Sequence, residues 1–446
     1  MNDEEKMNKS FTLYGCSDGI EEKTVMPELT IEFLMELYNK KDFKNLVASG
    51  QQFVKSNSAS AMAWNLLALG YRYSGDVPAA LKVYEDLLKL NPGHFLLSTN
   101  LGNLYMAIGQ VNKAIECFEA AREKQPDHAP NLEALAIAYQ DVGKSSEAMK
   151  TFKKVLEIDG SKESSRYHLG RMLVRFESYK EAIEHFEKTD FGLSKSHQLE
   201  CFYYLGDKEN FYKNYKSLIE SEKINPLMSS IGSHASVRYG VSNKENPFCS
   251  SPLAHIKEYH LDEKSGMNET LIDSILDFYR SGGADGKSQP LLSNGKQSSG
   301  NLFLQQREDI QTLKAIIEKK ISEYLTHFKN SNEGFIKYWP KKYTLYGWLV
   351  AMQSGGKLGA HIHKEGWLSG SLYFKMPEKR KKDEGNIVFS LDGANYPTDG
   401  KKYPAESKKV NKGDLVMFPS SLFHHTIPFE SQEERVSFAF DVIPSR

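Results

Sequence analysis

From Leu67 the chain returns to the same set of residues every 34 positions, and that period restricts its first half to one kind of architecture. Trp64, Leu67, Ala68, Tyr71, Ala80, Tyr84 and Pro92 open the series. Leu101, Gly102, Tyr105, Ala114, Phe118, Ala121 and Pro126 follow, then Leu135, Ala136, Tyr139, Ala148 and Phe152. A fourth pass gives Leu169, Gly170, Leu173, Ala182 and Phe186. Small residues where two helices cross, with an aromatic at the closing contact, describe a helix pair that cannot bury its apolar face alone. Stacked copies bury a continuous core. The aromatic stripe is therefore core, and any groove that holds a chain is built from the residues between these positions. Residues 30–60 read as a degenerate leading pair and 199–219 as a shortened closing one. Residues 1–27 carry little signal and read as a loose N-terminal arm.

This frame resembles the tetratricopeptide repeat. The resemblance implies an α-helical solenoid over residues 28–222 and a protein or peptide as partner through its groove. A formal charge of −1 over 446 residues gives no electrostatic reason to expect nucleic acid or an anionic membrane. The four cysteines, Cys16, Cys117, Cys201 and Cys249, are widely spaced and form no disulfide or metal pattern, as expected in a reducing compartment. The acidic, polar start is not a signal peptide. No run approaches the ~20 apolar residues of a membrane span. A soluble, cytoplasmic protein is expected, and nothing specifies its oligomeric state.

Near Ile224-Asn225-Pro226 the period stops. Residues 223–262 read as a connector, with Asn246-Pro247-Phe248-Cys249-Ser250-Ser251-Pro252-Leu253 as its Pro- and Ser-bearing part. Two helices are predicted next, over 268–279 and 307–328. Between them, 281–300 is rich in Gly, Ser, Asn and Gln and reads as a mobile surface loop, or as a lid. Beyond Gly334, short β-branched and aromatic runs separated by turn residues predict strands at 343–352, 368–375, 386–391, 414–418, 426–429 and 435–443. Strands of this kind make a sandwich or small barrel, and a second domain over 263–446 is expected. Two facing sheets form a jelly roll whose interior can hold a metal and a small cosubstrate.

Chemistry concentrates there. His361 and His363 lie two apart, so on an extended chain both face one way while Ile362 packs behind them. His424, about sixty residues on, stands at the end of another strand-like run and completes three ligands on one face of a metal. Arg435 and Ser437 again lie two apart, on the last strand. A guanidinium matches a carboxylate at two points, and a hydroxyl adds a donor. The pattern describes a metal site beside a carboxylate-binding site. His425 alternates to the face opposite His424. Glu365 reads as a solvated loop carboxylate, and Trp367 and Tyr373 as core.

His361-Ile362-His363-Lys364-Glu365-Gly366-Trp367-Leu368-Ser369-Gly370, Gly413-Asp414-Leu415-Val416-Met417-Phe418-Pro419, His424 and Glu434-Arg435-Val436-Ser437-Phe438 together resemble the 2-oxoglutarate/Fe(II) oxygenase family that often follows tetratricopeptide arrays. Asn246-Pro247-Phe248-Cys249 is also similar to that family, so the resemblance spans about residues 240–446. It implies a multidomain α + β chain: the repeat solenoid, then a double-stranded β-helix, or jelly-roll, domain with flanking helices. It implies Fe(II) and 2-oxoglutarate as cofactor and cosubstrate, with O2 activated by oxidative decarboxylation to succinate and CO2. A dioxygenase of this kind hydroxylates a C–H bond, here on a protein or peptide recruited by the array. Carried over by position, His361, His363 and His424 are metal ligands, and Arg435 with Ser437 takes the distal carboxylate of 2-oxoglutarate. One position departs from the pattern: most such oxygenases carry Asp or Glu where His363 stands, and a three-His site is less negative by one charge. That leaves two other readings. One is a three-His cupin-type metalloenzyme that does not use 2-oxoglutarate, although the cupin Glu is missing at its spacing and Arg435-Val436-Ser437 has no role in a cupin. The other is a non-catalytic repeat scaffold.

Overall fold

The computed structural model describes residues 29–287, 289–378 and 380–445. The expected N-terminal arm, 1–27, and Cys16 lie outside them. Backbone packing divides the chain into two compact units, one ending at Leu67 and one running from Ala68.

The first unit holds Ile31–Asn39 (α1), Phe43–Ser56 (α2) and the start of Ala61–Ser74 (α3). Thr30 and Asp42 cap α1 and α2 through backbone N–H groups of Phe33 and Asn45. In the second unit, the rest of α3 and Val77–Leu90 (α4) are followed by four helix pairs that repeat the frame. These are Phe95–Ala107 (α5) with Val111–Lys124 (α6), Ala129–Asp141 (α7) with Ser145–Ile158 (α8), Glu163–Arg175 (α9) with Tyr179–Glu187 (α10), and Ser194–Tyr204 (α11) with Lys208–Glu220 (α12). The recurring residues are the buried ones: Ala114 and Phe118, Ala148 and Phe152, Ala182 and Phe186. A Cβ added at Gly102 would lie 2.5 Å from the Phe118 ring, which is why a small residue stands at that crossing.

Within the expected connector the chain forms another helix, Pro226–Tyr239 (α13), rather than a linker. Its buried face is Ser229, Ser230, Ser233 and His234 as well as Leu227, Met228 and Ile231, so no apolar period announces it. Phe248 and Cys249 are also buried, in the core of the second domain.

That core lies between one sheet face and two helices, Glu269–Phe278 (α14) and Glu308–His327 (α15). A short helix, Gly334–Lys337 (α16), leads into the sheet. The strands are Lys257–His260 (β1), Gly286–Lys287 (β2), Leu292–Ser298 (β3), Tyr343–Leu358 (β4), Leu368–Lys375 (β5), Ile387–Ser390 (β6), Ala405–Lys408 (β7), Asp414–Pro419 (β8), Phe423–Thr426 (β9) and Arg435–Pro444 (β10). They form two antiparallel sheets, ordered β1-β8-β5-β10-β4-β3-β2 and β7-β6-β9, the two layers of a jelly roll. Strand alternation assigns the faces. Val436, Phe438, Phe440 and Val442 pack in the core with α14 and α15, so Arg435, Ser437, Ala439 and Asp441 face the other way.

Three expectations change. Residues 281–300 are not a free loop: β2 and β3 pair there, and β3 adds to the edge of β4. The strand expected at 426–429 lies earlier, at β9, because Pro428 has no N–H to give a ladder. The polar strands β1 and β7 show too little alternation to be read in advance.

Candidate metal centre

His361 and His424 meet through a backbone bridge. His361 N–H donates to the His424 carbonyl at 3.1 Å and His424 N–H returns the bond at 3.0 Å. Their ring centroids stand 4.3 Å apart. His363 lies in the following turn, where its N–H bonds the Ser420 carbonyl and its own carbonyl accepts from Gly366. Its ring centroid is 5.3 Å from that of His361 and 5.0 Å from that of His424. One nitrogen from each imidazole lies within 4.8 Å of the other two. A bridge and a turn, rather than plain strand alternation, bring the first two histidines together.

The hydrogen bonds fix which nitrogen is free. Nδ1 of His361 is 2.8 Å from the Gly359 carbonyl, Nδ1 of His424 is 3.2 Å from the Leu422 carbonyl, and Nδ1 of His363 is 2.6 Å from Asp441 Oδ1. These oxygens only accept, so each Nδ1 carries a proton, and a neutral ring keeps its lone pair on Nε2. Burial, and then the neighbouring imidazoles, push the His361 pKa down to about 3 and hold His424 well below its usual range. Neutral imidazoles with converging lone pairs suit a first-row divalent metal. Asp441 also accepts from Ser369 Oγ at 2.7 Å, and Ser369 Oγ is 2.7 Å from Ser420 Oγ. A Cβ on Gly366 would lie 2.7 Å from Ser420 Oγ, so only glycine leaves room for this cluster. The three-His set thus has its negative charge one residue further out, on Asp441.

The histidines open on a cavity of about 170 Å³ lined also by Gln289, Gln297, Trp348, Tyr373, Arg435 and Ser437. Arg435 is 2% exposed. Its Nε donates to the Gly385 carbonyl at 3.2 Å, and its guanidinium lies 4.8 Å from the centre of the Tyr373 ring. Among the described residues no carboxylate pairs with it. Desolvation lowers its pKa from the usual arginine value. The Tyr373 hydroxyl is buried beside it. A desolvated cation with no carboxylate partner, beside a buried hydroxyl, is suited to an anion.

A second group, Cys249, His255 and Glu333, also brings donor atoms within 4.8 Å, but its bonds are already used. Glu333 accepts from Ser250 and Ser251, and both His255 nitrogens are bonded, to the Ser251 carbonyl and Ser331 Oγ. It pins the chain ahead of β1.

Compared with known proteins, residues 346–441 match a family described as "Putative 2OG-Fe(II) oxygenase". Residues 71–136 match the tetratricopeptide repeat, and 107–189 match "Anaphase-promoting complex, cyclosome, subunit 3". The chain carries tetratricopeptide repeats and a 2OG-Fe(II) oxygenase domain. A repeat-containing protein of Methanocaldococcus jannaschii is 27% identical over 34% of this chain and 32% of its own. The peroxisomal targeting signal receptor of Candida albicans is 35% identical over 22% of this chain and 16% of its own. The chain therefore spans about a third or less of these curated relatives. MamA of Desulfovibrio magneticus is 23% identical, with a TM-score of 0.33, over 35% of this chain and 89% of its own. At the level of family the oxygenase domain is that of an oxidoreductase.

Of the residues singled out from sequence, His361, His363, His424, Arg435 and Ser437 all line the one cavity of the oxygenase domain just described. His425 lies opposite Val388 in the smaller sheet and does not line it. Trp367 packs in the core, its indole N–H on the Phe335 carbonyl at 2.7 Å. Tyr373, expected in the core, lines the cavity as well. Glu365 is not simply solvated: it lies 3.3 Å from the Tyr167 hydroxyl and 3.9 Å from Arg171, both on α9. Sequence reasoning missed Gln289 and Gln297, in the stretch read as a loop. It also missed Asp441, which continues the two-residue spacing of Arg435 and Ser437.

Proposed function

We propose that the protein is a 2-oxoglutarate/Fe(II)-dependent dioxygenase that hydroxylates a protein or peptide brought to it by the repeats. Arg435 carries the reading. A guanidinium buried in the wall of the oxygenase cavity, ion-paired with no carboxylate among the described residues, is suited to the distal carboxylate of 2-oxoglutarate. Ser437, two residues on and facing the same way, adds a hydroxyl. The Nε2 atoms of His361, His363 and His424 would hold Fe(II). Three protein nitrogens would leave the metal open to the 2-oxo acid.

Bound together, Fe(II) and 2-oxoglutarate supply the oxidation: O2 is consumed, one oxygen atom enters succinate as CO2 leaves, and the other becomes the hydroxyl of the substrate. The chain's own part is to hold and desolvate. The Nδ1–H bonds to Gly359, Leu422 and Asp441 fix the three rings. Trp348, Phe389 and Phe418 flank them and keep water out. Asp441, bonded to His363, favours positive charge at the site, which offsets the carboxylate missing from the ligand set. The three-His set alone also suits a cupin-type metalloenzyme, but such an enzyme has no use for Arg435.

The test is Fe(II)-dependent conversion of 2-oxoglutarate to succinate by the full-length protein. Losing a charge-assisted contact of about 3 kcal/mol, Arg435→Ala should turn over subsaturating 2-oxoglutarate about 100-fold more slowly. Equal turnover in the variant would remove the reading. A peptide substrate would be recognised by gain of one oxygen atom in whatever the repeats retain.

A further inference from the structure

The helices that close the repeat array also back the histidines. Ile362, between His361 and His363, and Phe423, beside His424, are buried in one hydrophobic cluster with Leu199 and Tyr203 of α11 and Leu227 and Ile231 of α13. The same helix α11 buries a charge. Glu200 is 1% exposed, and its two carboxylate oxygens each accept from Lys364 Nζ at 2.9 Å. Lys364 is the residue after His363. The Glu200 carboxylate is completed by the Tyr396 hydroxyl at 2.8 Å and by His197 Nδ1 at 2.9 Å. Every lone pair that faces inward is therefore used.

Glu200 is the buried partner and Lys364 is partly exposed; such a pair contributes little net stability compared with an apolar pair of the same volume, yet removing the partner of the buried charge is costly. What such a pair can do is restrict where its two chains sit. Here one chain is a repeat helix and the other is the turn that carries His363. The adjacent contacts of Glu365 with Tyr167 and Arg171 are half exposed and add little by themselves.

We propose that Glu200 is a positioning residue for the metal site: through Lys364 it fixes the His363 turn, so that α11 and α13 are the back wall of the oxygenase site as well as the end of the array. The inference rests on the metal-binding reading of His361, His363 and His424. It adds that the closing helices of the array and the site are mechanically one piece.

The experiment is a titration of metal-free, full-length protein with Co(II) alone, followed by its ligand-field absorption, beside thermal melts of the same samples. Glu200→Gln with Lys364→Met removes both charges while the amide still accepts from Tyr396. The double variant should melt close to the wild type and bind Co(II) at least about tenfold more weakly, with the absorption band altered. Lys364→Arg, which keeps the charge, should recover most of the affinity. Glu200→Asp, which shortens the reach, should fall between, and it serves if the double variant does not fold. Co(II) binding within twofold of wild type in the double variant or in Glu200→Asp, whatever the melting temperature, overturns the positioning role and leaves the metal reading standing. No Co(II) binding by the wild type overturns both.

Discussion

The middle of the repeat array and its closing helices are built to the same plan but bury different things. In α6 and α8 the buried side chains are Val111, Ala114, Phe118 and Ala121, and Ala148, Thr151, Phe152 and Val155. In α11 they include Ser194, Ser196, His197, Gln198 and Glu200, and in α13 Ser229, Ser230, Ser233 and His234. Apolar burial needs only the next repeat and is satisfied by stacking. Polar burial needs a partner of matching chemistry. The oxygenase domain supplies it: Lys364 and Tyr396 for Glu200, and Asp392, 3.3 Å from His234 Nε2. A repeat that buries charge has a second duty, and the neighbour that satisfies the charge shows where it lies.

The comparison predicts effects that separate the two regions. His424→Ala removes one of three nitrogens and should abolish measurable Co(II) binding in equilibrium dialysis, with the fold retained. Phe118→Ala, in the middle repeats, should cost about 3–5 kcal/mol of folding free energy in denaturant titrations. The folded fraction should nevertheless bind metal as the wild type does; a weaker site there would dissolve the distinction between the regions. Asp441→Asn keeps the size but removes the charge behind His363, and metal affinity should fall about 10- to 100-fold.

A further effect is in pH. Burial holds His168, His197 and His234 down to about 4. In the unfolded chain each takes a proton near its ordinary value of about 6.5. Between those limits the unfolded state binds more protons, so stability is full above about 6.5 and declines as pH falls towards 4. The slope is at most about 1.4 kcal/mol per pH unit for each group. Urea midpoints at a series of pH values should show the decline, and His234→Gln should flatten it.

Much of this was legible in the chain, for physical reasons that differ by element. The repeats announce themselves because each recurring residue is used locally, as Gly102 is against Phe118. Arg435 and Ser437 could be paired because a strand puts residues two apart on one face. Asp441 obeys the same spacing, but its importance depends on a histidine 78 positions away, and no local pattern reports that. The hairpin of β2 and β3 was hidden because Gly, Ser and Asn carry no alternation; it exists because β4 offers it an edge, with Lys296 opposite Ala351. Glu200 and Lys364 were invisible as a pair. In sequence they are two charges in two unrelated segments, and most such charges are solvated.

The most direct measurement is an anaerobic titration of the Fe(II)-loaded protein with 2-oxoglutarate, watching for the visible charge-transfer band of a bidentate 2-oxo acid on iron. The account predicts a saturable band in the wild type. In Arg435→Ala the same band should require about 100-fold more 2-oxoglutarate. Bound iron without a band, or a band whose concentration dependence ignores Arg435, would contradict it.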